Sequence, residues 1–237
     1  MKLLVWVPSY EWKLPTNLVS FFQSMQLPTD CPVWYCYTTR TPVHMARNTI
    51  MRKFLDWNYT HLIMIDDDEY PENRDCFFKL LSSDKDMISG IVRLRGERDK
   101  LNILDTVPYL KNWCEWMVEY KKMEKLPSNW VFEIGNAWSG LVCFKRNVVE
   151  HMMKKYHNEP FESKQITYVK LKNWTYREFG FHNHDDVLFK EDWDAYLVRR
   201  VLSEDFLFFE RAIADWFKLY ANGECKVVHI WDEHIKV

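Results

Sequence analysis

HLIMIDDDEYP, residues 61–71, carries the reading of the whole chain. Leu62 to Ile65 form an apolar run that leads directly into Asp66, Asp67 and Asp68, then Glu69, Tyr70 and Pro71. A short apolar run bounded by polar residues predicts a strand buried on both faces. Three adjacent carboxylates at its end repel one another, and their desolvation is costly unless a positive group stands among them. The cluster is therefore either fully solvated or the holder of a cation.

The segments around it decide the fold class. Residues 2–7 (KLLVWV) predict a buried strand, and PTNLVSFFQSMQL a helix with Thr16 as N-cap. VWYCYT predicts a second strand, VHMARNTIMRKFLDW a helix, and HLIMID a third strand. PENRDCFFKLLSS, opened by Pro71 in a first helical turn, predicts the next helix, and DMISGIV the next strand. Strand and helix alternating over short links imply an α/β fold, Rossmann-like, with a mostly parallel central sheet flanked by helices. The second half is less regular. PYLKNWCEWMVEYKKMEKL has helical spacing, WVFEIGNAW and SGLVCFKR predict strands, and a helix follows from about Asn147. Residues 157–192 resist assignment, SEDFLFFERAIADWF returns to helical spacing, and CKVVHIW predicts a last strand. No linker rich in Pro, Gly or Ser divides the chain, so one domain over 1–237 is expected. Its regular half spans 1–92 and its less regular half 93–237.

Composition narrows the function. The 237 residues are 47% hydrophobic and 28% charged, an ordinary globular balance able to bury a sizeable core. A net charge of -2 gives no global field for nucleic acid or an anionic membrane. The 12 Trp exceed what packing alone needs, and flat polar ligands favour aromatic walls. Cysteines 31, 36, 76, 114, 143 and 225 show no CxxC spacing and read as reduced core residues. The N-terminal apolar run is too short for a signal segment, and none reaches the roughly twenty residues of a membrane span. A soluble, cytoplasmic protein is expected, and the Asn58 and Asn173 sequons then carry no meaning.

In an open parallel sheet, ligands bind beyond the carboxyl ends of the strands, which is where Asp66 to Asp68 fall. A carboxylate pair there suits Mg²⁺ or Mn²⁺, which leaves its other positions to water and phosphates. An isolated acidic triplet would be read instead as a solvated turn before a helix. Other motifs, in a fixed order, shift the balance. They are Val7-Pro8-Ser9, Met45-Ala46-Arg47-Asn48, Ile65-Asp66-Asp67-Asp68, Ile88-Ser89-Gly90, Ser139-Gly140-Leu141, Ser203-Glu204-Asp205 and Val227-Val228-His229. Through these residues, and over nearly its whole length, the chain resembles the GT-A class of nucleotide-sugar glycosyltransferases, the family 2-like members in particular.

The resemblance implies a hexosyl- or pentosyltransferase that moves a sugar from a nucleotide-diphosphate sugar to an acceptor hydroxyl, with 1–92 as its nucleotide-binding half and 93–237 as its acceptor-binding half. Asp66 and Asp68 would be the outer acids of the DxD motif. Asp68 would ligate the metal, and Asp66 would contact ribose, or the metal through water. His229 would be a further metal ligand from the far side of the site, and Ser9 would contact the base. Asp67 would stand behind these groups. Asp205, with Glu204 beside it, would deprotonate the acceptor in an inverting enzyme, although acids after an N-cap Ser203 also suit helix stability. Arg47 lies early in its helix, where its charge can face the nucleotide or its phosphates. The alternative for it is an ordinary helix-surface arginine. Its same-face neighbours, Ile50 and Met51, exclude a shared basic patch.

Rival classes stay open at this point. His182, His184, Asp185 and Asp186 could ligate zinc or iron in a metallohydrolase, or form a loop over the acceptor. A nucleotidyltransferase would share the metal site but usually carries a Gly-rich loop after its first strand, and VPSYEWKLP has none. A noncatalytic nucleotide-sugar-binding protein is the third. Arg93 and Arg95 could reach phosphate, though an exposed charged loop is the simpler reading. Of Trp113, Trp116, Trp130 and Trp138, the last is the best sugar platform. The acceptor is open among glycan, lipid-linked, protein and modified DNA base. The small size suits a bacterial, phage or viral enzyme.

Overall fold

The computed structural model describes residues 1–9, 14–94, 97–101, 103–106, 120–123, 126–162, 164–170, 176–179 and 196–230. The chain begins with β1 (Leu3–Pro8), α1 (Thr16–Ser24), β2 (Val33–Thr38), α2 (Val43–Asp56), β3 (His61–Ile65) and β4 (Glu69–Pro71). It continues with α3 (Cys76–Ser82), β5 (Met87–Leu94), β6 (Glu97–Leu101), β7 (Ile103–Thr106) and β8 (Tyr120–Lys122). Then come β9 (Val131–Ile134), β10 (Asn136–Ala137), β11 (Leu141–Lys145) and α4 (Arg146–Lys155). The last elements are β12 (Lys164–Lys170), β13 (Tyr176–Phe179), β14 (Tyr196–Leu202), α5 (Glu204–Ala214) and β15 (Leu219–His229).

One large sheet organises the molecule, in the order β2-β1-β3-β11-β5-β15-β4. β2, β1 and β3 are parallel, and so are β5 and β15. β11 is inserted between β3 and β5 and runs against both. The result is a mixed α/β fold whose central sheet points mostly one way. β9 and β6 attach at its margin, and two small sheets, β10-β7-β8 and β13-β12-β14, stand apart.

Helices on both faces explain why the strands read as unbroken apolar runs. Alternate residues of β1 and β3 go to opposite sides. Leu4, Trp6, Leu62 and Met64 meet α2, α4 and α5 in one core. Leu3, Val5, Val7, Ile63 and Ile65 meet α1 and α3 in the other. Each of these large side chains contributes about 1.5–3 kcal/mol by its burial.

Several expectations change. Pro71 does not open a helix. It ends β4 at the sheet margin, where its missing N–H costs no ladder bond, and α3 starts at Cys76. Pro15, not Thr16, holds the N-cap position of α1. Residues 120–122, expected to be helical, pair with β7. WVFEIGNAW is divided at Gly135 between β9 and β10, which lie in different sheets. The segment 157–192 contains β12 and β13. Ser203 stands at the N-cap of α5, yet its side chain makes no capping bond. The described cysteines are free thiols. No helix among the described residues is long and apolar enough to cross a membrane.

Candidate functional site

β1, β2 and β3 end on the same edge of the sheet because they are parallel. Past those ends lies a pocket of about 560 Å³ lined by residues 8–9, 38, 40–43 and 66–68. Ser9 closes its floor by donating its N–H to the Thr38 carbonyl (2.9 Å). The first residue of α2, Val43, is on the rim, so the positive end of the helix borders the pocket. Asp66, Asp67 and Asp68 form the opposite wall.

The acidic turn is fixed by backbone bonds on both flanks. Asp66 donates its N–H to the Gly140 carbonyl at 2.9 Å, and the Asp68 carbonyl accepts from Ile230 at 2.8 Å. β4 pairs antiparallel with β15 so that Glu69 stands opposite His229. Directly opposite residues put their side chains on the same face. Glu69 Oε1 and His229 Nε2 are 2.9 Å apart. Asp68, Glu69 and His229 together offer ligand atoms within 4.8 Å of one another. Oxygen and imidazole donors of this kind can hold a divalent ion. Burial pushes the Glu69 carboxyl up, against the pull of its hydrogen bond to His229 and of that ring's charge.

Arg47 occupies the space between this turn and α5. It is 2% exposed, which excludes the helix-surface alternative. Its Nη1 donates to Glu204 Oε1 (3.0 Å) and pairs with Asp205, while Nη2 reaches Asp66 Oδ1 (3.4 Å). Its guanidinium also lies over the Phe161 ring, 5.6 Å from the centroid. Arg47 is not part of the pocket lining, and its charge is spent on carboxylates. Asp205 is held from a second side by Ser139, whose Oγ donates to Oδ1 (2.7 Å) and whose N–H donates to Oδ2 (3.3 Å).

Asp66 feels both clusters. Burial raises its carboxyl to about 7, Arg47 opposes the rise, and Glu69, Asp68 and Asp67 reinforce it. A third of the side chain (33%) opens on the pocket, so water screens part of this effect. Five carboxylates, at 66, 68, 69, 204 and 205, thus gather at one arginine and one histidine, and Arg40 adds a further positive charge to the pocket lining. That excess of negative charge suits a site that receives a cation.

The structure therefore gathers Asp68 with His229, lines the pocket with Ser9, Asp66 and Asp67, and joins Arg47 to Asp66, Glu204 and Asp205. Glu69 and Ser139 enter as site residues with no role assigned from sequence. The pairing of Glu69 with His229 depends on the β4–β15 register, which no local pattern encodes. Ser139 adjoins Gly140 in a recognisable motif, but its contact with Asp205 is 66 residues away in sequence. Trp138 packs edge-on against Phe206 (4.7 Å between centroids), and Trp130 is exposed. The His182–Asp186 cluster, Trp113, Trp116 and Arg95 lie outside the described residues.

No family model and no curated protein matches the chain. Among solved structures, mannose-1-phosphate geranyltransferase from Thermus thermophilus aligns over 68% of this chain and 63% of its own, with 11% identity and a TM-score of 0.37. CMP:2-keto-3-deoxy-manno-octonic acid synthetase, solved with CTP, aligns over 65% of this chain and 78% of its own, with 12% identity and a TM-score of 0.35. Likenesses that slight carry no conclusion about chemistry. A197 from STIV aligns over 97% of this chain and 85% of its own, with 17% identity and a TM-score of 0.55. The chain shares the overall fold of that protein from end to end, and at this identity the likeness is one of fold.

Proposed function

We propose that the protein is a metal-dependent glycosyltransferase that takes a nucleotide-diphosphate sugar and transfers the sugar to an acceptor hydroxyl. The observation that carries this reading is the meeting of Asp68 and His229 beside a pocket at the carboxyl ends of parallel strands. The pocket draws its lining entirely from residues 8–68, which supports reading 1–92 as a nucleotide-binding half. In this reading Ser9 and Thr38, both in the pocket lining, would meet the base and ribose, and the start of α2 would face phosphate. Mn²⁺ or Mg²⁺ held by Asp68 and His229 would neutralise the diphosphate as it leaves. Asp205 is the acceptor-side base in this reading, with Ser139 and Arg47 fixing its carboxylate and Glu204 sharing the arginine. The free thiols suit a reducing compartment such as the cytoplasm of a bacterial or virus-infected cell. The acceptor, whether glycan, lipid-linked, protein or modified DNA base, would meet the site from the 93–237 half.

One observation favours a second reading, nucleotidyl transfer. Both Asp205 oxygens are already engaged by Ser139, and Oδ1 by Arg47 as well. A nucleotidyltransferase has no need of that residue as a base. Incubation with nucleotide sugars, and separately with nucleoside triphosphates plus sugar 1-phosphates, separates the two. Release of nucleoside diphosphate from a nucleotide sugar with Mn²⁺ is the expected result. Pyrophosphate from the second mixture would transfer the assignment to nucleotidyl chemistry.

A further inference from the structure

Four consecutive acids, Asp66 to Glu69, follow β3 and lead into β4, and the structure divides them unequally. Asp66 is turned to Arg47, with Nη2 at 3.4 Å from Oδ1. Asp67 lines the pocket. Glu69 is the most deeply placed, with 4% of its side chain exposed. Its Oε1 meets His229, but its Oε2 is buried without a hydrogen-bond partner among the described residues. A carboxylate oxygen sealed from water with nothing to bind is costly, and here an Asp68 oxygen lies within 4.8 Å of the Glu69 carboxylate.

The backbone has made room for this arrangement. A Cβ built on Gly140 would lie 2.3 Å from Glu69 Oε2 and 2.5 Å from Oε1. Only glycine lets the carboxylate lie against the β11 entry, and the same Gly140 carbonyl anchors the Asp66 N–H. The 2.9 Å separation of Oε1 from His229 Nε2 suits a hydrogen bond, and it suits a shared ion equally well. Adjacent ligands of an octahedral cation, each about 2.1 Å from it, are about 3.0 Å apart.

We infer that Glu69 is a direct ligand of the divalent cation, completing a set with Asp68 and His229, and that Asp66 is not a ligand but the partner of Arg47. The inference rests on the metal-dependent reading above and changes its ligand set. Asp66 then ties the cation's turn to α5 through Arg47, while the buried carboxylate and imidazole hold the ion.

The test is Mn²⁺ uptake followed by the paramagnetic resonance of free Mn²⁺, with and without a nucleoside diphosphate, for wild type, Glu69→Gln and Asp66→Asn. Gln keeps the shape and a hydrogen bond to His229, and the melting temperature in EDTA verifies that the variant is folded. If it does not fold, Glu69→Asp takes its place. Loss of a ligand is expected to weaken Mn²⁺ binding by about 10-fold or more in Glu69→Gln, on the scale known for groups supporting metal sites. Asp66→Asn removes no ligand atom and is expected to weaken Mn²⁺ binding clearly less than Glu69→Gln does. Wild-type affinity in Glu69→Gln, or its loss in Asp66→Asn, overturns the inference, as does wild type that takes up no Mn²⁺ in either condition. Mn²⁺ uptake that no nucleotide enhances would leave the ligand set standing and overturn the transferase reading instead.

Discussion

At Gly140 a hydrogen atom is the only substituent the site tolerates. Gly140→Ala drives a methyl group into the Glu69 carboxylate, and the overpacking is expected to cost about 1–3 kcal/mol. Thermal unfolding in EDTA checks the stability, and Mn²⁺ titration of the same variant should show weakened binding. An unchanged melting point would mean that Glu69 can move aside freely. Ser139→Ala tests the other side of the site. It removes the Oγ bond to Asp205 and leaves the backbone bond and the pocket in place. The expected outcome is a fall in kcat of about 10-fold or more with the KM for donor within twofold, since misplaced bases lose turnover before binding. Equal losses in both would assign Ser139 to donor binding. At the residue scale the sequence was legible in part. The apolar neighbours of Arg47, Ile50 and Met51, spoke against a shared basic patch but left a helix-surface arginine open, and only the fold shows it buried. What sequence could not supply was its company, because Asp66, Glu204 and Asp205 reach it from separate elements.

Between elements, α4 and α5 are fastened by one carboxylate. Asp215, just past the end of α5, is half-buried with its side chain turned in, and it takes bonds from His151 Nε2 (2.9 Å) and from Lys155 Nζ, both on α4. Burial alone would raise the Asp215 carboxyl, but the Lys155 and His151 hydrogen bonds outweigh it and hold it below its usual 3.8. A depressed carboxyl contributes stability above its unfolded pKa and loses it as pH falls through the folded value. Asp215→Asn should therefore lower Tm by about 2–4 °C near pH 7, where about 1 kcal/mol is lost in a chain of this size. The difference from wild type should shrink below pH 4 and vanish once the native carboxyl is protonated. A constant difference across pH would assign the effect to packing. Element existence was readable from periodicity in the first half, where buried parallel strands alternate with amphipathic helices. It failed where short strands pair at a distance. Glu69–Pro71 and Tyr120–Lys122 owe their extended form to partners at Val227–His229 and Leu104–Thr106, and three-residue segments carry no period of their own.

Across the whole molecule, the sheet order joins the two halves of the chain. β11, from residues 141–145, separates β3 from β5, and β15, from the C-terminal part, flanks β5. Neither an inserted antiparallel strand nor its position is written in hydrophobic pattern, although the α/β class is. The consequence is one cooperative sheet. In native-state hydrogen exchange, β3 and β11, bonded on both sides and buried on both faces, should open only with global unfolding. β2, bonded on one side with Trp34, Tyr35 and Tyr37 exposed, should exchange earlier. Early exchange in β3 with slow exchange in β5 would instead divide the sheet into independent units. The same convergence of distant segments brings Asp68 and His229 together, and the proposed chemistry depends on it. The most direct measurement is the thermal shift of the purified protein with UDP, GDP, CDP, ADP and dTDP, each in Mn²⁺ and in EDTA, repeated for Asp68→Ala. A nucleotide at about a hundred times its dissociation constant stabilises by about 2.7 kcal/mol. A shift with one nucleotide that requires Mn²⁺ and disappears in Asp68→Ala is the predicted result, and a folded protein that shifts with none of them would contradict it.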